Sequence, residues 1–405
     1  MISPDGKRIL TVNSGSSSLK CALFHASSDS TMLLSIGILD RIGLEHGRFR
    51  VYDGNGLSLH DEPVSLPDHP SALKHILAWF SSRQETWHLD AAGHRIVHGG
   101  TAYTQPQRIT PAVLATLNQL IPLAPMHIPN ELAAISALSQ EYPHLPQVAC
   151  FDTAFHRHMP RIAQLYGLPR NLTDEGILRY GFHGLSYEYI LGELTREAGP
   201  ETASGRLVIA HLGNGSSMVA VHRRASLDTT MGFTPLGGLV MSTRPGDLDP
   251  GVLLYLLNEQ RIAPAELDAL LNRQSGLLGV SGTSSDMRDL LSQATTDPHA
   301  AEAVDLYCYI ARKTLGGLVA VLGGLDTLVF TGGIGENAAE IRQRISANMA
   351  FLGIEIHAAR NEAGASVISS DASRVTVRVM KTDEEMMIAR HTIAVLGISG
   401  GASDE

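Results

Sequence analysis

The sequence has few cysteines and no long uncharged apolar segment. Cys21, Cys150 and Cys308 are too few and too scattered for a disulfide framework or a zinc site, which predicts reduced thiols and a cytoplasmic protein. The nearest candidate for a membrane span, 316–330, is shorter than the ~20 residues required and contains Asp326. The N-terminus lacks the basic and apolar segments of a signal peptide. We therefore expect no membrane partner.

Positive charge is also scarce. The chain has 31 Lys and Arg against 41 Asp and Glu, a net charge of −10. A mildly acidic protein binds a nucleic-acid backbone poorly, so we expect no nucleic-acid partner. With only five lysines, a lysine inside a motif is informative. The 405 residues, 44% of them hydrophobic and 18% charged, predict an ordinary globular chain of two or three domains at roughly 150 residues each.

Apolar periodicity predicts two β-rich parts. The first part has predicted strands at 8–12, 19–25, near 31–40 and 47–60, at 91–100 and at 147–153, with helices at 71–80, 110–120 and 128–138. The second part has predicted strands at 206–213, 216–222, 226–233 and 326–333, a helical region over 249–323, a helix over 336–349, and a final strand and helix within 377–395. The small polar residues 399–405 predict a frayed tail.

Two segments of the chain resemble each other. VNSGSSSL (12–19) and LGNGSSMV (212–219) each read as a strand, a turn of Gly, Ser and Asn, and a second strand. Two ordinary hairpins would give a similar pattern. Because both turns are long in small hydroxyl residues and each opens a β-rich part, we interpret them as hairpins of two similar α/β halves. The prediction is that these halves face each other, with the hairpins on opposite sides of one cleft.

Exposed backbone N–H groups in these turns, and in TGGIGEN (331–337), are suited to binding phosphate. A Walker P-loop is excluded, because the only Gly-Lys pair, Gly6-Lys7, is followed by Arg8. The segment 333–338 matches G-x-G-x-x-A, with Glu355 about twenty residues later. A dinucleotide-dependent oxidoreductase therefore remains a minor alternative to a nucleotide-binding enzyme of another fold.

Charged and histidine side chains stand in or beside several of these turns. Arginine binds carboxylate or phosphate through two parallel hydrogen bonds, and two acidic groups that converge on a phosphate site suit Mg²⁺. Histidines beside Gly or Pro without zinc-ligand spacing fit donors to a phosphoryl group better than metal ligands. The candidates are Arg95, Arg244, Asp152, Asp247, Asp249, Glu384, Glu385, His127, His183 and His211.

Ten motifs, in order, give the chain a strong resemblance to the acetate kinase family from about residue 8 to residue 391. They are VNSGSSSLK, HRIVHGG, PLAPMHIPN, FDTAFH, RYGFHGLSY, HLGNGSS, MGFTPLGGLVMSTRPGDLDP, SGTSSDMRDL, FTGGIGEN and TDEEMMIAR. The resemblance implies two duplicated ribonuclease-H-like α/β domains of the sugar kinase, Hsp70 and actin type around a nucleotide cleft. We expect these domains at 1–150 plus 386–405 and at 151–385. The implied activity is reversible, Mg²⁺-dependent, in-line phosphoryl transfer between ATP and acetate, giving ADP and acetyl phosphate, by a homodimer.

The resemblance also implies roles for individual residues. Asp152, His183 and Arg244 would be catalytic; Arg95 and His127 would serve the acceptor; Asn13 and Glu384 would hold Mg²⁺, with Mn²⁺ able to replace it. Nucleotide contacts would come from Lys20, His211, Leu212, Gly213, Asn214, Gly215, Asp286, Met287, Arg288, Gly333, Ile334, Gly335, Glu336 and Asn337. We expect Val97, Met126, Phe182 and Pro235 to form a pocket for the methyl group, because Val97 lies two residues after Arg95 on a predicted strand and so shares its face.

Some positions depart from the family pattern, although the charged and histidine positions are retained. The departures are Ile128, Gly237, Ser242, Pro245 and Asp383. They leave a propionate or butyrate kinase open. A chaperone-like or cytoskeletal ATPase is disfavoured, since no substrate-binding domain or lid follows residue 395. Because acetate is already ionised at pH 7, we expect Asp152 to orient Mg²⁺, a water or an arginine and not to remove a proton.

Overall fold

The computed structural model describes residues 6–15, 17–27, 30–83 and 88–398, so Ser16 of the first hairpin turn and the predicted tail lie outside the described residues. The strands are β1 (Lys7–Ser14), β2 (Ser18–Ala26), β3 (Thr31–Asp40), β4 (Gly47–Asp53), β5 (Ser58–Val64), β6 (Ala91–Ile96), β7 (Gln107–Arg108), β8 (Gln147–Phe151), β9 (Leu207–Leu212), β10 (Ser216–His222), β11 (Ala225–Thr229), β12 (Thr327–Thr331) and β13 (Thr376–Val379).

Helices account for about half of the described residues that lie outside the strands. They are α1 (His69–Ser82), α2 (Pro111–Gln119), α3 (Ile128–Glu141), α4 (Arg161–Gln164), α5 (Arg170–Asp174), α6 (Gly184–Ala198), α7 (Pro200–Ser204), α8 (Pro250–Asn258), α9 (Pro264–Arg273), α10 (Gly276–Ser281), α11 (Met287–Gln293), α12 (Pro298–Leu322), α13 (Gly332–Asn337), α14 (Ala339–Ser346), α15 (Ala358–Glu362) and α16 (Glu384–Leu396). In the described ranges, no helix is both long enough and apolar enough to cross a membrane.

The chain divides into two compact units. Unit 1 comprises Met1–Ala154 and Asp383–Glu405, and unit 2 comprises Phe155–Thr382. The sheet of unit 1 has the order β5-β4-β3-β2-β1-β6-β8-β7. Its central strand β1 is antiparallel to β2 and parallel to β6, and β6 is parallel to β8.

The sheet of unit 2 repeats the middle of this arrangement. Its order is β11-β10-β9-β12-β13, with β9 antiparallel to β10 and parallel to β12, and β12 parallel to β13. The five strands β3-β2-β1-β6-β8 therefore have the same order and directions as β11-β10-β9-β12-β13. The predicted α/β class with duplicated halves is confirmed. Because β9 pairs with an antiparallel neighbour, the sheet also differs from the parallel dinucleotide-binding order that the oxidoreductase alternative requires.

Side chains that alternate along the strands of unit 1 fill two apolar layers. Leu10, Val12 and Cys21 pack with α1 and α3, whereas Ile9 and Phe24 pack on the opposite side with α16. Helix α16 approaches β6 closely at Gly93. A Cβ atom on this glycine would lie 2.2 Å from Thr392 Oγ1 and 2.6 Å from Ile388 Cγ2, so glycine is required for the contact. This close packing fixes the position of α16 relative to β6.

Unit 2 has the same two layers. Val208, Ala210 and Leu212 of β9 pack with α12, while Leu207 and Ile209 pack with α6 on the other side. Helix α6 has buried residues at Tyr187, Ile190, Leu191 and Leu194, which is the i, i+3, i+4, i+7 spacing of an amphipathic helix. The sequence reading did not include this helix, although the spacing is present.

Two local predictions need correction. Strand β6 ends at Ile96, so Val97 lies beyond the strand and the alternation argument does not place it on the face of Arg95. The helix predicted over 336–349 is two helices, since α13 already begins at Gly332 and α14 begins at Ala339. The glycines of TGGIGEN therefore form a helical turn directly after β12.

Candidate active site

Several charged side chains of unit 1 meet at one edge of its sheet. Asn13 lies near the end of β1, Arg95 lies near the end of β6, and Asp152 directly follows β8. Since β1, β6 and β8 are parallel, their carboxyl ends meet at the same edge. Glu384 and Glu385 are the first two residues of α16, which packs against these strands. The sequence predicted these positions one by one, and the topology brings them together.

Arg95 and Asp152 form the centre of this cluster. Arg95 donates to Asp152 Oδ2 from Nε at 3.1 Å and from Nη2 at 2.5 Å. Its Nη1 donates to Asn13 Oδ1 at 3.3 Å, and Nε lies 3.8 Å from Glu384 Oε2. Burial alone would lower the pKa of Arg95, but Asp152 and Glu384 outweigh it and raise the pKa. The guanidinium is therefore a permanent cation, held at a fixed orientation by a fully buried carboxylate.

Asn13 connects the arginine to the carboxylates of α16. Its Nδ2 donates to Glu384 Oε2 at 3.3 Å and to Glu385 Oε1 at 3.2 Å. Lys20 Nζ, on β2, pairs with Glu385 Oε2 at 2.6 Å. Burial opposes the charge on Lys20, but Glu385 and Glu384 raise its pKa on balance. The cluster thus alternates cations and carboxylates along a single hydrogen-bonded chain.

Glu131 on α3 is a buried acid that the sequence reading missed. It is 2% exposed, and its Oε1 accepts from the Val97 backbone N–H at 3.1 Å. Its Oε2 is buried and has no hydrogen-bond partner among the described residues. Burial raises the pKa of Glu131 to about 8, against the opposing effects of Arg95 and the Val97 N–H. Only the packing of α3 places this residue inside, because its sequence context is that of an ordinary first-turn glutamate.

Unit 2 contains a cavity of about 850 Å³ between the β9–β10 turn and the starts of α11 and α13. Its lining includes most of the residues predicted to bind the nucleotide. These are His211, Gly213, Asn214, Gly215, Asp286, Met287, Arg288, Gly333, Ile334 and Asn337, joined by His183, Ser242, Leu291 and Ala338. Arg288 is tied to Asp286 by a 2.7 Å ion pair, and this hydrogen bond lowers the pKa of Asp286.

Three predicted nucleotide residues of unit 2 lie elsewhere. Leu212 is fully buried in the apolar layer under α12, and Gly335 is buried against the same strand. Glu336 Oε1 accepts from the backbone N–H groups of Gly332 at 3.0 Å and Thr382 at 3.1 Å. Glu336 thus joins the start of α13 to the segment that precedes α16.

His183 is positioned by its backbone and by a buried hydrogen-bond chain. It precedes α6 with φ 60°, a left-handed conformation that costs a non-glycine residue roughly 1–3 kcal/mol and is typical of functional sites. Its Nδ1 lies 2.8 Å from Ser217 Oγ, and Ser217 bonds the hydroxyl of Tyr187. The ring stacks on His211 at 4.2 Å between centroids. Ser217 and Tyr187 were not predicted, since their partners are distant in sequence.

Gly215 marks the point where His183 and Arg244 converge. A Cβ atom on Gly215 would lie 3.3 Å from His183 Nε2 and 3.6 Å from Arg244 Nη2. Arg244 Nη1 donates to the Pro235 carbonyl at 2.8 Å, which orients the guanidinium. The side of His183 opposite to Ser217 therefore faces the same small volume as the guanidinium. A cation, an imidazole and a glycine backbone arranged in this way suit an anionic, phosphoryl-sized group.

The predicted apolar residues differ in exposure. Val97 and Phe182 are almost completely buried, whereas Met126, before α3, and Pro235 are partly exposed. His127 is the N-cap residue of α3, immediately before its first residue, Ile128. The role of these residues as a methyl pocket stays a prediction.

Comparison with known proteins gives one consistent picture. Residues 8–390 match the model of the acetokinase family. An acetate kinase of Methylocella silvestris is 48% identical over 398 residues, covering 96% of this chain and 98% of that protein. The crystal structure of Porphyromonas gingivalis acetate kinase has a TM-score of 0.87 at 37% identity, covering 96% of this chain and 100% of the other. A propionate kinase from Francisella tularensis has a TM-score of 0.89 at 34% identity, with the same coverage.

Proposed function

This chain belongs to the acetokinase family, and from that premise we propose that it transfers the γ-phosphoryl group of ATP to acetate, reversibly, giving ADP and acetyl phosphate. The observation that best supports the proposal is the partly buried Arg95, oriented by Asp152 beside Asn13 and Glu384. A fixed guanidinium with this surrounding is suited to a small carboxylate that must be held for attack on a phosphoryl group.

We assign the acceptor site to unit 1 and the nucleotide site to the cavity of unit 2. Arg95 binds the carboxylate of acetate and holds one oxygen toward the γ-phosphorus. In the in-line reaction that oxygen forms the new P–O bond, and the bond between the γ-phosphorus and the β,γ-bridging oxygen breaks, so that ADP leaves with the electron pair. Arg244, His183 and the N–H groups of the 213–215 turn stabilise the charge of the transferring group, which is the main catalytic requirement of phosphoryl transfer.

Asn13 and Glu384 fit a magnesium ion by the chemistry of their oxygens. Asn13 Nδ2 donates to Glu384 Oε2 at 3.3 Å, which places the amide beside the carboxylate, and Asn13 Oδ1 faces Arg95 Nη1. Mg²⁺ in phosphoryl-transfer enzymes uses one or two carboxylates and otherwise phosphate oxygens and water. In the described part of the chain, no group of three or more His, Cys, Asp or Glu side chains could hold a metal. We assign Asn13 and Glu384 to Mg²⁺ or Mn²⁺, which would neutralise phosphate charge when bound.

Asp152 acts in this proposal by holding Arg95 and not as a base. Replacing it with asparagine removes the charge-assisted hydrogen bond, worth roughly 1.5–3 kcal/mol, so kcat/KM for acetate should fall about 10- to 100-fold. Relative to the wild type at the same pH, the defect should not shrink as the pH rises from 6 to 9, because no proton transfer is lost. Initial rates across this range measure it. A rate that recovers as pH rises would instead identify Asp152 as a general base.

Ser217 should be needed for the orientation of His183. Ser217→Ala breaks the chain from Tyr187 and should lower kcat about tenfold, which corresponds to about 1.4 kcal/mol, while the KM values for ATP and acetate stay near normal. Ser217→Thr keeps the hydroxyl and serves as the matched control. Equal losses in both variants would attribute the effect to packing around β10 and not to the hydrogen bond.

The function is tested by hydroxamate formation from acetate, propionate and butyrate with ATP and Mg²⁺. Acetate should give the highest kcat/KM, with propionate lower by a modest factor, since one methylene in an apolar pocket is worth ~1–3 kcal/mol. A preference for propionate would instead indicate a propionate kinase, which is the activity named for the Francisella tularensis relative. No acyl hydroxamate from any of the three acids would contradict the proposed reaction class.

We further propose a cytoplasmic homodimer. Cys21, Cys150 and Cys308 are buried and form no disulfide among the described residues, which fits a reducing compartment such as the cytoplasm. Helix α8 has no buried residue although it is largely apolar, and its Leu254 is 59% exposed. Exposed apolar surface of this kind is typical of subunit contacts, and two-fold dimers are the commonest closed assembly. The mass in solution by light scattering tests the proposal, because a dimer would have twice the 43.4 kDa of the chain.

A further inference from the structure

Glu131 is a buried ionisable group that the proposed mechanism does not yet use. It lies in the first turn of α3 and is 2% exposed. A buried carboxyl group normally satisfies both oxygens, because an unsatisfied polar atom costs roughly 1–3 kcal/mol. Here Oε1 accepts from Val97 N–H at 3.1 Å, and Oε2 has no partner among the described residues. The unsatisfied oxygen therefore indicates a partner that the chain itself does not supply.

The groups around Glu131 indicate which kind of ligand could bond to Oε2. Val97 follows Arg95 by two residues, so the hydrogen bond to Val97 N–H holds Glu131 beside the end of β6. The charged groups that act on it are Arg95, which favours its ionised form, and Asp152, which opposes it. The same Arg95 is the group assigned to the acceptor carboxylate. A ligand carboxylate bound to Arg95 would meet Glu131 as a second acid.

Two carboxylates side by side repel each other, whereas an acid and a carboxylate share a hydrogen bond. Burial favours the acid form of Glu131 and raises its pKa to about 8. The group is then neutral at pH 7 and carries one O–H donor. Its Oε1 can accept from Val97 as observed, which leaves the proton for Oε2.

We propose that Glu131 is a neutral carboxylic acid of the acceptor site, whose Oε2–H donates a hydrogen bond to the carboxylate of the bound acceptor beside Arg95. The inference rests on the proposed function, because it names a further contact of the same acceptor. The bonded oxygen is the one that does not attack phosphorus, since a hydrogen bond would weaken a nucleophile.

Steady-state kinetics distinguish a Glu131 that donates a hydrogen bond to acetate from a Glu131 that only supports the structure. In the wild type, the KM for acetate should rise as pH increases above about 8, by up to tenfold for each pH unit, because ionised Glu131 loses its donor and repels acetate. Glu131→Gln keeps an N–H donor without a titrating proton, so its KM for acetate should stay flat from pH 6.5 to 9.5. Glu131→Leu should raise the KM for acetate at least about tenfold at pH 7, with the KM for ATP unchanged.

Glu141→Gln, on the exposed end of the same helix, is the matched control and should follow the wild type. An identical pH profile in the wild type and Glu131→Gln, or an unchanged KM for acetate in folded Glu131→Leu, would overturn the proposal. The protonation state of Glu131 can also be measured without an activity assay, by NMR of protein labelled with ¹³C at its carboxyl groups. The Glu131 signal is the one that is present in the wild type and missing in Glu131→Gln. Titration of that signal near pH 8 supports the proposal, and titration in the ordinary range of glutamate refutes it. Absence of acyl hydroxamate from the wild type would instead be a failure of the proposed function.

Discussion

Replacing Arg95 with alanine is expected to raise the KM for acetate about 100-fold, because losing one partner of a buried, hydrogen-bonded charge pair costs roughly 2–5 kcal/mol. Arg95 is the guanidinium that Asp152 and Asn13 orient in unit 1. The KM for ATP should change by no more than about twofold, since the cavity assigned to the nucleotide is built from unit 2 alone. Steady-state kinetics with each substrate varied in turn measure this separation.

Arg95→Ala also removes the cation that faces the buried Asp152 carboxylate, so its effect on folding stability must be measured separately from its effect on acetate binding. Asp152 is completely buried and would lose its guanidinium partner, at a cost to folding of roughly 3–5 kcal/mol. Arg95→Ala combined with Asp152→Asn removes the stranded charge and should recover much of the thermal stability while the KM for acetate stays high. Recovery of acetate binding together with stability would show that Arg95 acts through folding, and it would remove Arg95 from the acceptor site.

Features that repeat along the chain could be predicted from the sequence. The two Gly/Ser hairpins, each of which opens a β-rich part, indicated two similar halves, and the two sheets share five strands in the same order and directions. Residues at the ends of parallel strands could be expected to meet, as Asn13, Arg95 and Asp152 do. Strand alternation and the composition of turns are local properties, so a single sequence carries them.

Contacts that depend on tertiary packing could not be predicted. Glu131 reads as an exposed first-turn acid until α3 is packed against β6, and Ser217 reads as part of the glycine turn until His183 lies beside it. Element ends were uncertain for a related reason. Nothing in the apolar pattern distinguishes Ile96 from Val97 as the last residue of β6. The predicted domain boundaries at 150 and 386 stay a prediction.

Arg244→Ala is expected to lower kcat about 1,000-fold, within the range found when a positioned arginine or oxyanion donor is removed from an acyl- or phosphoryl-transfer site. The guanidinium is oriented by the Pro235 carbonyl at 2.8 Å and converges with His183 on Gly215. Since the contact strengthens as charge develops on the transferring group, the loss should fall on kcat and leave both KM values within about threefold of the wild type.

Two further variants make the Arg244 result specific. Arg244→Lys keeps the charge without the planar fork and should recover only part of the rate. Arg196→Ala removes an exposed arginine of α6, whose ion pairs with Glu193 and Glu197 are worth ~0–1 kcal/mol, and should leave kcat unchanged.

The reaction can be followed in both directions, which separates the two possible roles of Arg244. Acetyl phosphate formation and ATP formation share one transition state, so losing a contact made only there lowers kcat in both directions by the same factor and leaves the KM values near normal. A group that binds the phosphoryl group equally in ATP and in the transition state would instead raise the KM for ATP and lower kcat only in the direction of ATP formation. Equal losses of kcat in the two directions therefore support a role of Arg244 in the transition state, whereas unequal losses of kcat would assign it to binding of ATP.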